Sequence, residues 1–202
     1  MAYPYLELLS TPDVVEAQVE NGTREQWDGF DGARDFTFFD DNARAFIAQR
    51  DSFYIASNSA SGFPYLQHRG GPEGFLKVIG DTRFGFADYS GNRQYITTGN
   101  AKSDDRVSLF LMDYARRKRM KILARMQVVS AADNPKLAAQ LIDSDYHGKV
   151  ERLMVFDLVA YDWNCPQHIT QRFSKAMVQE ALAQVQAEND ELRRQLAEAR
   201  GE

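Results

Sequence analysis

Hydrophobic and polar positions change their period twice along this chain of 202 residues. In the first fifty residues, apolar side chains recur at helical spacing, as Ala43, Phe46 and Ile47 do near the end of that stretch. Short apolar runs separated by Gly-, Asn- or Pro-containing turns follow, up to about residue 162. Helical spacing then returns near residue 175. The pattern therefore predicts peripheral helices, a strand-rich middle and a C-terminal helix.

The strand-rich middle contains about seven predicted strands and a single short helix, residues 135–142, within it. Strands do not alternate with helices, so the pattern favours an antiparallel barrel over a doubly wound parallel sheet. We predict a mainly β fold with peripheral helices. The predicted strands are residues 53–56, 64–68, 75–79, 83–88, 107–112, 120–129 and 150–162.

The C-terminal segment has no Gly or Pro before Gly201, and its apolar residues are spaced alternately by four and three. This heptad pattern predicts either a coiled coil, with Asn189 favouring two strands in one register, or a surface helix packed on its own barrel. We accordingly predict a barrel domain over residues 1–174 and a separate helix over residues 175–202. The predicted seam consists of Val178, Leu182, Val185, Asn189, Leu192, Leu196 and Ala199.

Charge and cysteine content narrow the function classes. A net charge of −5 argues against general nucleic-acid binding, which needs a basic excess. Cys165 is the one cysteine, which suits a reducing compartment. No apolar run reaches the length of about 20 residues that spans a membrane, and the first residues lack the pattern of a signal peptide. We expect a cytoplasmic protein that does not bind membranes.

Two predicted strand ends carry an arginine beside glycine: Arg69 precedes Gly70, and Arg93 follows Gly91 and Asn92. A guanidinium matches the geometry of a phosphate, and glycine lets backbone N–H groups approach an anion. Each segment alone, Arg69-Gly70-Gly71 or Gly91-Asn92-Arg93, is also typical of an ordinary turn. Together, in a barrel rich in Phe and Tyr, they indicate a site for a flat, phosphorylated ligand.

Other candidate chemistry is weaker. The irregular segment from Trp163 to Arg172 either closes over a pocket or supplies only a core ring and a surface arginine. Cys165 and His168 are close in sequence, but no third residue is evident that would orient them as a catalytic pair. The three histidines lack metal-ligand spacing, and GxGxxG and Walker motifs are absent. We therefore assign no catalytic residue and no metal site.

Four segments resemble the pyridoxamine 5′-phosphate oxidase-like, FMN-binding split-barrel superfamily, and most closely its branch of flavin-nucleotide-binding proteins. The resemblance covers roughly residues 50–173. It is carried by Gln67-His68-Arg69-Gly70-Gly71-Pro72, by residues 84–94 (FGFADYSGNRQ), by residues 106–113 (RVSLFLMD), and by Trp163 through Arg172-Phe173.

The resemblance implies an antiparallel split barrel that binds FMN at the interface of a homodimer. Asn92 and Arg93 match an Arg-Lys pair that holds the FMN phosphate, with Arg69 also near the phosphate. Trp163 and Arg172 match C-terminal residues that reach the flavin, from the same or the partner subunit. The residues implied to line the ring and the ribityl chain are Gln67, His68, Arg69, Gly70, Asp88 and Tyr89.

By the same resemblance, the protein is an oxidoreductase that transfers hydride through FMN to or from an unknown small molecule or electron donor. The substrate segment of the oxidase itself is not reproduced, because Gln167-His168-Ile169 stands where that enzyme has an Arg-x-His element. The alternatives are a non-catalytic flavin-binding, storage or sensing protein, and a split barrel that uses haem or a deazaflavin.

Overall fold

A computed structural model describes residues 3–28, 30 and 34–201 of the chain. These form two compact units. The first unit comprises residues 1–112 and 119–165, and the second comprises residues 113–118 and 166–202. Within the described ranges, no helix combines the length and the apolar character that crossing a membrane requires.

Short helices precede the sheet, as the helical spacing predicted. Asp40 caps the last of them by accepting a hydrogen bond from the backbone N–H of Ala43 (2.7 Å), and Phe46 and Ile47 on its inner face are buried. Tyr3 and Tyr5 are also buried. The helices are α1 (Pro4–Leu9), α2 (Pro12–Glu20), α3 (Arg24–Asp28) and α4 (Asp41–Ala48).

The middle of the chain forms one seven-stranded sheet with the strand order β2-β1-β5-β6-β7-β4-β3. Strand β1 runs antiparallel to β2 and β5, and β7 runs antiparallel to β4 and β6. The prediction of a mainly β, antiparallel fold is confirmed. The strands are β1 (Ser52–Asn58), β2 (Pro64–Gly70), β3 (Lys77–Val78), β4 (Arg83–Tyr89), β5 (Arg106–Asp113), β6 (Lys118–Val129) and β7 (Val150–Trp163).

The sheet curls on itself into a barrel. Phe53 of β1 contacts Phe86 of β4 edge-to-face, with ring centroids 5.4 Å apart, although four strand pairings separate these strands in the sheet order. Ile55 on the same face of β1 is fully buried, whereas Tyr54 between them is exposed. This alternation places the core inside the curl, and β2 and β3 are the two free edges of the split barrel.

Strand β3 is shorter than the predicted residues 75–79. Gly74 has a φ of +79°, which turns the chain inward before the strand begins. Phe75 and Leu76 are then buried in the core, 2% and 1% exposed, instead of alternating along an edge strand. The apolar residues that predicted a longer strand are therefore apolar because they are buried, and not because they pair with a neighbouring strand.

Three more helices complete the chain: α5 (Ile96–Asn100), α6 (Pro135–Leu141) and α7 (Lys175–Arg200). The sequence pattern did not predict α5. The long helix α7 begins where Ser174 accepts a hydrogen bond from the backbone N–H of Met177 (3.2 Å), and it ends at Gly201, which has a φ of +72°. The predicted C-terminal helix is confirmed.

Candidate functional site

The two ends of the curled sheet are joined by an ion pair between Arg69 and Asp88. Arg69 Nη1 on the edge strand β2 donates to Asp88 Oδ1 on β4, over 3.0 Å. Strand β4 lies second from the opposite edge of the sheet. The pair therefore spans the split of the barrel and fixes the position of both predicted strand ends.

A second guanidinium flanks the same carboxylate. The antiparallel register places Arg152 of β7 opposite Asp88, and Arg152 Nε lies 3.4 Å from Asp88 Oδ2. Asp88 is only 5% exposed. Burial raises its pKa above the ordinary value, by more than the charges of Arg69 and Arg152 lower it. Arg69 is therefore paired with a buried acid, and Arg152 lies between this acid and Glu151, with which it forms a second ion pair at 2.5 Å.

The neighbouring residue Glu151 anchors the turn that follows β4. Its carboxylate accepts a hydrogen bond from the Tyr95 hydroxyl (3.3 Å), and the Arg152 guanidinium lies 4.6 Å from the centre of the Tyr95 ring. Burial tends to raise the pKa of Glu151, but hydrogen bonds from Ser90 and Arg152 outweigh it and lower the pKa. Tyr95 has a left-handed φ of +54°, so these contacts hold a strained backbone position.

A cleft of about 290 Å³ opens between the end of β2, the end of β4 and this turn. Its volume lies close to the lower limit of about 300 Å³ for small-molecule sites. Tyr89 and Tyr146 form an aromatic wall, with ring centroids 4.7 Å apart. The cleft is lined by Gln67, His68, Arg69, Gly70, Phe86, Asp88, Tyr89, Ser90, Gly91, Asn92 and Tyr146.

A smaller recess of about 30 Å³ shares several of these residues and extends towards α5. Thr97 lines it and is 1% exposed, yet its hydroxyl has no hydrogen-bond partner within the described residues. The Nε of Arg69 is likewise buried without a hydrogen bond. Buried polar atoms are nearly always hydrogen-bonded, so these two groups indicate a place for water or for a ligand.

Arg93, at the mouth of the recess, differs from the other two arginines. It is exposed, has a left-handed φ of +58°, and has no ionic partner among the residues that the structure describes. Beside it, Asn92 Oδ1 accepts a hydrogen bond from the backbone N–H of Gln94 (3.1 Å), which stabilises the turn. The turn therefore presents an unpaired positive charge to the recess.

The structure gathers most of the site residues that the sequence predicted. Eight of the ten line the cleft or its recess: Gln67, His68, Arg69, Gly70, Asp88, Tyr89, Asn92 and Arg93. Trp163 does not line either space in this chain. It lies at the opposite end of β7 from Arg152, where its ring packs edge-to-face on Phe46 with a centroid distance of 4.9 Å. Arg172 belongs to the second unit, where its guanidinium lies 5.0 Å from the ring centre of Tyr114.

Sequence reasoning missed four residues of this region: Tyr95, Thr97, Glu151 and Arg152. Tyr95 and Thr97 belong to a turn and a five-residue helix that are too short to show a period. Glu151 and Arg152 stood inside a predicted strand and carried no motif. Their proximity to Asp88 follows from the β4–β7 register, which the sequence does not reveal.

The chain is similar in sequence to a known protein family and in fold to solved structures. A sequence profile described as pyridoxamine 5′-phosphate oxidase matches residues 39–188, well over half of the chain. The match begins just before α4 and runs into α7, so it includes all seven strands and every residue of the cleft. No curated protein matches the chain.

Solved structures are similar at low identity. An FMN-binding protein from Syntrophomonas wolfei is 15% identical, covers 73% of this chain and 97% of its own, and has a TM-score of 0.45. HupZ from Group A Streptococcus is 9% identical, with coverages of 67% and 100% and a TM-score of 0.47. A Clostridium acetobutylicum protein of the pyridoxinephosphate oxidase family, related to general stress protein 26, is 11% identical, with coverages of 68% and 94% and a TM-score of 0.42.

Proposed function

Because the chain belongs to the pyridoxamine 5′-phosphate oxidase family, we propose that it is an FMN-binding flavoprotein whose cofactor occupies the cleft at the split of the barrel. One observation carries the proposal: the cleft has an aromatic wall, and the recess that adjoins it has an unpaired arginine and an unpartnered buried hydroxyl. These are the features that a planar ring bearing a phosphate requires.

The residues present fit FMN at its phosphate end. Arg93 supplies a guanidinium without an internal partner, and the Thr97 hydroxyl supplies a buried donor within the recess. The side-chain N–H groups of Asn92 add further donors in the same turn. Arg69 contributes positive charge, although Asp88 already occupies one of its N–H groups. Asn92 stands where the family resemblance implies a basic residue, but Arg93 and Arg69 still give the proposed phosphate site a positive charge.

The ring and the ribityl chain would lie along β2 and β4. Because β2 is an edge strand, the backbone groups on its free side near Gln67 and Gly70 are available to hydrogen-bond the polar edge of a flavin. Tyr89 and Tyr146 supply aromatic surface, and Gln67 supplies a side-chain amide. When bound, FMN supplies hydride transfer between small molecules. The protein's part is to position the ring and leave one face open.

We further propose a homodimer that completes the cleft. The outer face of β1 and β2 bears Tyr54, 37% exposed, and Leu66, 65% exposed, and Phe63 before β2 is 77% exposed. His68 lies on the same face, with its ring centre 5.5 Å from that of Tyr54, and it also lines the cleft. A second subunit on this face would cover the apolar patch and enlarge a cleft that is small for a whole FMN.

The test of cofactor and chemistry starts with the purified protein. We expect flavin absorption bands in the blue and near-ultraviolet, and FMN as the mass released by heat. A Soret band or a deazaflavin mass would overturn the assignment of FMN.

A second experiment tests whether the bound flavin is redox-active. Anaerobic addition of NADH or NADPH, followed by oxygen or a dye, should bleach and restore the flavin bands. Flavin that binds but is never reduced would instead favour a flavin carrier or sensor.

Assembly and location need separate measurements. Light scattering on the purified protein should give a dimer, and Leu66→Asp should weaken it because a charge would be buried in the interface. A monomeric parent protein that still binds FMN would contradict the proposed homodimer.

We also propose that the protein works in the cytoplasm, because its single cysteine, Cys165, is exposed and free, which suits a reducing compartment. Fractionation of cells that produce the protein tests this location.

A further inference from the structure

Helix α7 carries an apolar seam that the proposed flavin site does not use. Its 26 residues correspond to about 39 Å of helix. In heptad notation, positions a and d form the seam, and positions g and e flank it. The a positions hold Leu182, Asn189 and Leu196, and the d positions hold Val178, Val185, Leu192 and Ala199. The Val and Leu side chains of the seam are 46–56% exposed in the single chain.

The charged side chains of α7 differ in whether they have an ionic partner within the helix. On the outer face, Glu191 at position c forms an ion pair with Arg194 at position f, within the helix. On the flanks of the seam, Glu188 at position g and Arg193 at position e have no ionic partner among the described residues. Glu188 and Arg193 on the flanks are therefore opposite in sign and unpaired, whereas Glu191 and Arg194 on the outer face are paired with each other.

We propose that α7 pairs with α7 of a second copy of this chain as a parallel, in-register, two-stranded coiled coil. In a parallel pair, a g residue lies beside the e residue five positions later in the partner. Glu188 would then meet the partner's Arg193, and Arg193 would meet the partner's Glu188. Charge complementarity thus identifies a second copy as the occupant of the seam. This inference does not depend on the proposed flavin site.

Asn189 sets the number of strands. Leu at position a with β-branched Val at position d favours assemblies of more than two helices. A single Asn at position a instead selects two strands in one register, because two Asn side chains can pair across a dimer seam. In the single chain, Asn189 Nδ2 donates to the backbone oxygen of Val185 (3.0 Å), so the amide already lies over the preceding seam position.

Disulfide trapping in the full-length protein tests direction and register. With Cys165→Ser as background, Val185→Cys places a thiol on the seam, and Ala187→Cys places a matched thiol at position f, on the outer face. Under oxidised glutathione, we expect a covalent dimer from Val185→Cys and little from Ala187→Cys. Equal trapping of both variants would overturn the proposal. So would trapping that occurs only when Val185→Cys chains are mixed with Leu196→Cys chains, since that indicates an antiparallel pair.

Two further sets of substitutions test the proposed coiled coil independently: one exchanges the charges of Glu188 and Arg193, and the other replaces Asn189. Glu188→Arg should reduce trapping at residue 185 several-fold, and adding Arg193→Glu should restore it. Failure of the double variant to restore trapping would overturn the parallel g–e′ contact. Asn189→Leu should raise the mass measured by light scattering above that of the parent assembly. An unchanged mass, with circular dichroism showing an intact helix, would overturn the role of Asn189.

Discussion

The cleft has two walls that use arginine in opposite ways. The strand wall, formed by Arg69 and Asp88, is largely buried and ion-paired within itself, and Arg152 of β7 flanks Asp88. The turn wall, residues 90–95, presents Arg93 exposed and without an ionic partner in the described chain. Positive charge that is neutralised internally shapes the cleft, whereas positive charge that is left unpaired is available to a ligand. The comparison predicts which substitutions alter the fold and which alter binding.

The strand wall has a further consequence for electrostatics. Asp88 lies between two guanidiniums, yet burial still raises its pKa, so the environment does not fully compensate for the desolvated carboxylate. The pair of strands is therefore held in position by an arrangement that is only partly favourable at neutral pH. Such an arrangement is expected where a site needs a fixed charge for a purpose other than stability.

The largest expected effect concerns the turn wall. Arg93→Ala should weaken FMN binding about 10- to 100-fold, because a charge-assisted hydrogen bond contributes about 1.5–3 kcal/mol. The urea midpoint of unfolding should hardly change, since the side chain is exposed. Calorimetric titration with FMN measures the affinity.

Arg117→Ala is the matched control for this substitution. Arg117 is also an exposed arginine with a left-handed φ, +53° against +58° for Arg93. The two variants therefore share the loss of an exposed positive charge at a left-handed backbone position. Equal losses of FMN affinity in both would show that general charge, and not the turn wall, holds the phosphate.

A smaller effect is expected at Thr97. Thr97→Val keeps the shape of the side chain but removes a buried hydroxyl that has no partner in the described residues. Free protein should become more stable, by up to about 1 kcal/mol, because an unsatisfied buried group is removed. FMN affinity should fall about five- to tenfold as the hydrogen bond to the phosphate is lost. Loss of stability without loss of affinity would show that Thr97 serves packing only.

The smallest effect on binding is expected at the strand wall. Asp88→Asn removes a negative charge that faces the proposed phosphate site while keeping the shape of the side chain. The two arginines that flank Asp88 offset much of this repulsion, so we expect it to be worth about 1 kcal/mol and FMN affinity to rise roughly fivefold. Weaker binding, measured by the same titration, would mean that the Asp88 carboxylate contacts the ligand directly and that the two walls do not divide as described.

The same variant tests the raised pKa of Asp88. Because the folded protein holds this proton more tightly than the unfolded chain, with its ordinary value of 3.8, stability from this group is present below that pH and is lost as the pH rises through the raised value. The free energy of unfolding of the parent protein should therefore decline with rising pH relative to Asp88→Asn. Urea unfolding at a series of pH values from about 3.5 to 7 measures the difference. A difference that grows in favour of the parent protein would contradict the raised pKa.

Much of the cleft was predictable because it is built from strand ends. Arg69 and Asp88 ended predicted strands, and the Gly-containing turns after them were visible as breaks in the apolar pattern. The sequence could not show that the two residues form an ion pair, because their contact depends on how far the sheet curls. It also could not show that Arg152 flanks Asp88, because antiparallel register is set by pairings distant in sequence.

Other parts of the molecule show where local patterns are insufficient. The predicted strand over residues 75–79 shortens because Phe75 and Leu76 are drawn into the aromatic core around Phe53. Trp163 was predicted to close the site from its own or the partner subunit; within one chain its ring packs on Phe46, and its role at the site stays a prediction. The heptad seam of α7 predicted the helix correctly, but its pairing stays a prediction.

The most direct test is a calorimetric titration of the flavin-free, full-length protein with FMN and with riboflavin, which lacks the phosphate. We predict one FMN per chain and binding of riboflavin that is weaker by at least about tenfold, since it cannot engage Arg93 or Thr97. Equal affinity for both ligands, or no binding of either, would contradict a phosphate site at the split of the barrel.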